Sequence, residues 1–310
     1  MATGTLKRKI VFSAWADTVE KQPFDRLAAA EALGGLKPDE LVLDHGDALT
    51  AVELIEKGTQ EEPTRLRLLA LHDAANAPSA WGPGHGAHLI NLGADQYSAF
   101  ITHVSLWANK IAAHDAHANA PGLGRLASYL QRLADQKVMF RALYEQGLAD
   151  QLEDLAGVRG VEFAIHNPHK VQTAEGMVGS LIGHLAPRAP SIRVRLGMGR
   201  RGPRDAYLDP EIAEKVHDFA DKAEQFFDSL VIRGTSKTTK TEAGRPKTVE
   251  INLLSHRLSV EEQLPRDSDN PSVPDETALF RAVTRARNQL NGRGALAKAV
   301  EARILLDQQS

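Results

Sequence analysis

The chain has no cysteine, few aromatic residues and no long apolar run, and each absence removes a class of function. Without cysteine there is no disulfide, no thiolate metal site and no cysteine nucleophile, a composition that fits a reducing cytosol. Aromatic residues make up 5% of 310 positions, too few to furnish a long stacking groove for single strands. The best apolar stretch, Leu66 to Leu71, is short and broken by Arg67, whereas a membrane span needs about 20 apolar residues. The basic opening Met1 to Ile10 runs into Ser13, Trp15, Asp17 and Glu20, so no signal peptide is expected. Neither a zinc finger, an aromatic RNA-binding signature, a helix-turn-helix, a Walker A lysine, H-E-x-x-H nor G-x-S-x-G appears. What is present is an ordinary globular composition: 42% apolar, 25% charged and a net charge of −3. The length suits one large domain or two small ones.

The small net charge hides an asymmetry. Residues 1–190 carry 17 Lys and Arg against 22 Asp and Glu, whereas residues 191–310 carry 20 against 18. The second part gathers its positive charge in two stretches. Arg193, Arg195, Arg200, Arg201 and Arg204 stand in a run without an acid; Arg233, Lys237, Lys240, Arg245 and Lys247 stand in another with only Glu242. Ten of the twelve histidines lie in residues 1–190.

Residue patterning predicts strands at Lys9 to Trp15, Leu41 to Leu43 and Arg65 to Leu71, and a helix from Phe24 to Leu33 that Gly34 and Gly35 end. Glycines and prolines between Asn76 and Gly86 predict a loop. Tyr97 to His117 fits a helix or a hairpin, and the hairpin is preferred. A helix is expected from Leu123 to Leu133, a strand from Val138 to Tyr144, a helix from Ala149 to Leu155 and a strand from Val158 to Ile165. Thr173 to Leu185 reads as a helix and Ile192 to Met198 as a strand. Asp209 and Pro210 open an amphipathic helix to Leu230, with Glu211, Glu214, Asp218, Asp221 and Asp228 opposite its apolar stripe. Leu230 to Arg233 and Thr248 to Leu254 then read as strands joined by a basic polar loop. Arg266 to Pro274 reads as an exposed loop, and helices from Asp275 to Leu290 and Ala295 to Leu306 close the chain. This order predicts an α+β fold, a mainly antiparallel sheet with packed helices in a two-part chain. The expected parts are an N-terminal α+β region at 1–135 serving dimerisation or regulation, an α+β nucleic-acid-binding region at 136–265, and C-terminal helices at 266–310.

The two cationic stretches carry the functional expectation. Guanidinium forks and ammonium groups beside hydroxyls, as in Lys237-Thr-Thr-Lys-Thr, bind phosphate oxygens, and such contacts are salt-dependent and blind to base sequence. The closing helix adds Arg281 and Arg285, one turn apart. The competing explanation is a solvated loop neutralised by neighbouring carboxylates. Gly197-Met-Gly-Arg-Arg-Gly202 matches a dinucleotide fingerprint, but Pro203 follows and the next helix opens only at Asp209; Gly122 to Ala127 matches a looser form without a convincing strand before it. Tight turns explain both. His85 and His88, His114 and His117, and His166 and His169 form close pairs. With His72 and Asp73, His114 and His117 offer an acid–base or metal alternative for phosphodiester cleavage, although loop hydrogen bonding explains isolated histidines as well.

The stretch Leu230-Val-Ile-Arg-Gly-Thr-Ser-Lys, then Thr248-Val-Glu-Ile-Asn-Leu, then Asp275 to Leu290 resembles, in its order of elements, the phage exclusion protein RexA and the DNA-binding subunit of the Kiwa defence system. The resemblance covers about the last 170 residues and leaves the Gly- and His-rich N-terminal segment unmatched. It implies a cytoplasmic dimer, with a defence partner protein, that grips duplex DNA without sequence preference in antiviral defence. The sequence therefore points to a nucleic-acid-binding protein, duplex DNA first, with no cofactor, no metal and no membrane contact. A histidine-dependent nuclease or nucleotide hydrolase is the alternative, and a self-associating interaction module a third.

Overall fold

The computed structural model describes residues 4–16, 24–37, 39–44, 49–72, 79–82, 86–89, 97–116, 120–166, 191–197, 229–242, 244, 246–268 and 273–300. The expected α+β class holds: the sheets are mainly antiparallel and carry packed helices. The chain divides into two compact units that interleave along the sequence. The first takes residues 1–11, 15–140 and 260–284; the second takes 12–14, 141–259 and 285–310. The C-terminal region, set apart in the sequence reading, is thus shared out between them.

In the first unit, alternation of apolar and polar residues builds a broad sheet. Its strands are β1 (Thr5–Ala16), β2 (Val42–Asp44), β3 (Leu49–Glu56), β4 (Thr64–His72), β7 (Ser98–Leu106), β8 (Ile111–Ala116) and, late in the sequence, β14 (Ser259–Pro265). They lie in the order β14-β1-β8-β7-β4-β3-β2, with β9 (Met139–Ala142) also pairing β1. Strand β3 falls outside the strands that the patterning predicts, and so does β14. The expected loop around Pro78 instead holds a small hairpin of β5 (Ser79–Gly82) and β6 (Gly86–Leu89). Backbone pairing of Ser79–Gly82 with Gly86–Leu89 outweighs the low strand preference of the glycines in these strands. The preferred hairpin over Tyr97 to His117 is β7 and β8, in register at Val104 and His114.

Helices α1 (Arg26–Gly34) and α2 (Leu123–Leu133) cover one face of that sheet. Val52, Leu66, Leu68, Val104, Leu106 and Ala112 face Ala29, Leu33, Leu126, Tyr129 and Leu130 in one core. Each fully buried Leu there contributes roughly 1.5–3 kcal/mol. Burial pushes the Tyr129 hydroxyl up to about 12, so it stays protonated and donates to the Leu41 carbonyl. Helix α1 starts at Arg26 because the Asp25 carboxylate accepts from Leu27 N (2.9 Å) and Ala28 N (3.1 Å). Asp25→Ala is expected to cost about 1 kcal/mol in urea unfolding, with Asp25→Asn restoring most of it. Between β3 and β4 the chain turns through Gly58 at φ 73°, where an added Cβ would lie 2.6 Å from the Pro63 backbone. Buried Arg26 closes this turn, donating to Thr64 Oγ1 (2.9 Å) and to the Thr59 carbonyl. Its burial lowers the guanidinium pKa, against a smaller opposing pull from Asp25.

The opposite face of the sheet carries a polar row. Glu53 lies opposite Arg67, and Arg67 opposite His103, on adjacent strands. Over it sits the first turn of α4 (Glu276–Gly292), which Asp275 caps through Ala278 N at 2.7 Å. Arg67 Nε and Nη2 each reach a Glu276 carboxylate oxygen at 2.6 Å, while Nη1 reaches Glu53 at 3.0 Å. The Arg67 pKa is raised, first by its hydrogen bond to Glu276. Phe280 of the same helix stacks edge-on to His103 and lies under Arg65.

The second unit holds α3 (Gln146–Glu153) and an antiparallel sheet of β10 (Leu155–His166), β11 (Ser191–Gly197), β12 (Ser229–Lys240) and β13 (Pro246–Asn252) in the order β11-β10-β12-β13. Val161, Phe163, Leu230, Ile232 and Ile251 are buried on one of its faces. Gly234 permits the irregular β10–β12 pairing, since a Cβ there would meet the Gly157 carbonyl oxygen at 2.6 Å. Residues 295–300 are helical, the described part of the expected last helix. The helix expected at Thr173 to Leu185 lies outside the described residues, as do residues 209–228 of the acidic one; Ser229 and Leu230 already belong to β12.

Candidate nucleic-acid interface

The cationic residues of the second part come onto the sheet of the second unit by strand alternation. In β10, Val161 and Phe163 point into the core, so Glu162 and Ala164 take the other face. Register then sets Arg195 opposite Glu162 and Arg193 opposite Ala164 on β11, and Arg233 of β12 opposite Gly160 and Glu250. Arg193, Arg195 and Arg233 therefore share the outer face. Arg233 is held by two carboxylates, Nη1 at 3.1 Å from Glu162 and Nε at 2.6 Å from Glu250. Arg193, 73% exposed, stands 3.7 Å from Glu162. Arg195 is exposed and has no partner among the described residues.

The basic polar loop expected between two short strands is largely strand. β12 runs on through Lys237 to Lys240, and β13 begins at Pro246 and includes Lys247. The local preference of Lys and Thr for a loop yields to pairing of Lys240 with Pro246 across a tight turn in which Gly244 N donates to the Thr241 carbonyl. Lys237, Lys240 and Lys247 are exposed on this arm, and Lys240 and Lys247 have no partner among the described residues.

Asp154, just beyond α3, holds the base of the arm. Its carboxylate accepts from the Ser236 hydroxyl and from Thr238 N (3.0 Å), and its carbonyl accepts from Lys237 N at 2.7 Å. The Ser236 hydroxyl first, then Thr238, keep the Asp154 carboxyl below the usual carboxylate range. That contact is in place at neutral pH and is lost as pH falls through the lowered value.

Not every expected residue joins this surface. Arg200, Arg201, Arg204 and Arg245 lie outside the described residues. Arg281 and Arg285 are exposed one turn apart on α4 rather than on the sheet. Of the dinucleotide fingerprints, Gly122 is the N-cap of α2, and the other falls outside the described residues beyond Gly197.

The hydrolytic alternative finds little geometry. His114 lies on strand β8, not a helix, so His114 and Asp115 point to opposite faces. His114 is 5% exposed beside Val104, and Asp115 serves His103 instead: its Oδ1 accepts from His103 N at 2.6 Å and stands 3.5 Å from Nδ1. His117 lies outside the described residues; His72 ends β4, its side chain undescribed. No cluster of His, Asp and Glu able to hold a metal occurs among the described residues. No helix among them is long and apolar enough to cross a membrane.

The residues that temper or brace this surface, Glu162, Glu250 and Asp154, were not anticipated. Only alternation within Val161-Glu162-Phe163 hinted that Glu162 would leave the core. In comparison with known proteins, the chain matches no family model and no curated relative.

Proposed function

We propose that this protein binds nucleic acid, duplex DNA first, by gripping backbone phosphates without reading base sequence. The observation that carries the reading is the set of exposed cations on one sheet: Arg195 on the outer face and Lys240 and Lys247 on the arm, without a partner among the described residues, and Arg193 on the outer face, 73% exposed and 3.7 Å from Glu162. Register sets Arg193 level with Ser229 of β12 through Ala164, so Lys240 stands eleven residues further along, about 36 Å of strand. Duplex DNA of that length carries on the order of twenty phosphates, enough to engage every one of these side chains. The strand–turn–strand and closing helix are also the elements on which the resemblance to RexA and the Kiwa subunit rests, and on that ground the proposal extends to a cytoplasmic, dimeric protein of antiviral defence acting with a partner protein.

Titrating a labelled duplex of unrelated sequences at several salt concentrations tests the reading. Four phosphate contacts give a log–log salt slope of about −3.6, a loss of about a hundredfold in affinity between roughly 50 and 200 mM salt. Affinity that is flat with salt, or confined to one base sequence, overturns it.

A further inference from the structure

The β12–β13 ladder has a gap. Thr235 pairs Thr248 and Lys240 pairs Pro246, so residues 236–239 of β12 stand against Lys247 alone. A stretch with no strand opposite it needs other partners for its amides, or it moves. Asp154 and Ser236 provide them: the amides of Lys237, Thr238 and Thr239 go in turn to the Asp154 carbonyl (2.7 Å), the Asp154 carboxylate (3.0 Å) and Ser236 Oγ (2.7 Å). The Ser236 hydroxyl closes the circuit by donating to the other carboxylate oxygen. The placement of this acid is itself notable. Asp154 N still bonds the Asp150 carbonyl, so its carboxylate stands at the C-terminal end of α3, where the helix dipole disfavours negative charge. An acid there owes its stability to the donors of β12, and helix and arm are locked together through it.

We propose that Asp154 is a positioning residue for nucleic-acid binding: by holding residues 236–239 it fixes the exposed arm that presents Lys240 and Lys247. This rests on the nucleic-acid reading above. It has a sign that charge alone cannot mimic. Removing a carboxylate beside Lys237 tightens polyanion binding by electrostatics, whereas releasing the arm weakens it, because the arm must then be ordered on the DNA.

The test uses the full chain as wild type, Asp154→Asn and, should that variant fold poorly, Ser236→Ala. Amide exchange at Lys237, Thr238 and Thr239 is expected to accelerate at least about tenfold, with Val231 to Thr235 unchanged. Duplex affinity is expected to fall about tenfold with the salt slope retained, since the same phosphates are contacted. Unchanged exchange overturns the clamp. Accelerated exchange with equal or tighter binding overturns the positioning role and shows instead that the carboxylate competes with phosphate. Failure of the wild type to bind overturns the nucleic-acid reading and the positioning role with it, while exchange still decides the clamp separately.

Discussion

Exchanging Arg193, Arg195, Lys240 and Lys247 together for glutamate is expected to abolish duplex binding at about 100 mM salt, a loss of at least about a hundredfold. Arg195, Lys240 and Lys247 have no partner among the described residues, and Arg193 is mostly exposed at 3.7 Å from Glu162, so each is available to displace a counterion; Arg233, already between Glu162 and Glu250, contributes less. The surface is mixed, and that is why reversal matters more than neutralisation. With Glu162 and Glu250 in place, four new glutamates leave the outer face and arm predominantly acidic despite Arg233 and Lys237, and the surface repels the duplex. The control is a variant of equal net charge with Lys7, Lys37, Lys57 and Lys298 reversed, all exposed and none on strands β10 to β13. It is expected to lose less than about tenfold, through long-range charge only. Equal losses in the two variants would show that net charge rather than this surface governs binding. Since these substitutions are exposed and none fills a core position, unfolding midpoints should stay close to wild type.

Arg67→Ala is expected to destabilise the protein by about 2 kcal/mol, read as a lowered urea midpoint. The guanidinium joins Glu53 of β3 and Glu276 of α4, and His103 stands 3.5 Å from Glu276. Its loss leaves Glu53 and Glu276 without the guanidinium they share. Removing one partner of a fully buried pair costs about 3–5 kcal/mol; Arg67 is about a third exposed, and solvent screening reduces that figure. Arg67→Lys keeps the charge but loses the fork that grips both Glu276 oxygens, so it should recover only part of the loss. Amides in the first turn of α4 should exchange faster in both variants. A loss below about 0.5 kcal/mol would mean that Phe280 packing alone seats the helix.

Much of the fold was legible wherever the pattern is local. Alternation in Lys9 to Trp15 and Arg65 to Leu71 announced β1 and β4, and the Pro121-Gly122 entry placed α2 to the residue. Strand β3 escaped because Glu53 stands amid Ala51, Val52, Leu54 and Ile55, where a carboxylate breaks the apolar run and only Arg67 on the neighbouring strand accounts for it. Strand β14 escaped for a similar reason, with Glu261, Glu262 and Gln263 at its centre. Of the site, the cations of the sheet were visible as residues but not as a surface. Their exposure, their grouping with Glu162 and Glu250, and the bracing by Asp154 depend on contacts between residues 17 to 84 positions apart. The histidines show the same dependence: His114 and Asp115 are adjacent in sequence and on opposite faces in space, while His103 finds Asp115 across a hairpin.

By itself the sequence determined the α+β class, most of the strands and helices, and the concentration of lysine and arginine late in the chain, because periodicity and composition act within a few residues. Only the tertiary structure decided which cations are left free and which are neutralised, which histidine meets a carboxylate, and that the basic loop is an extended arm. Those outcomes depend on strand register, and register is chosen by the fit of whole faces against one another, which no short window of sequence contains.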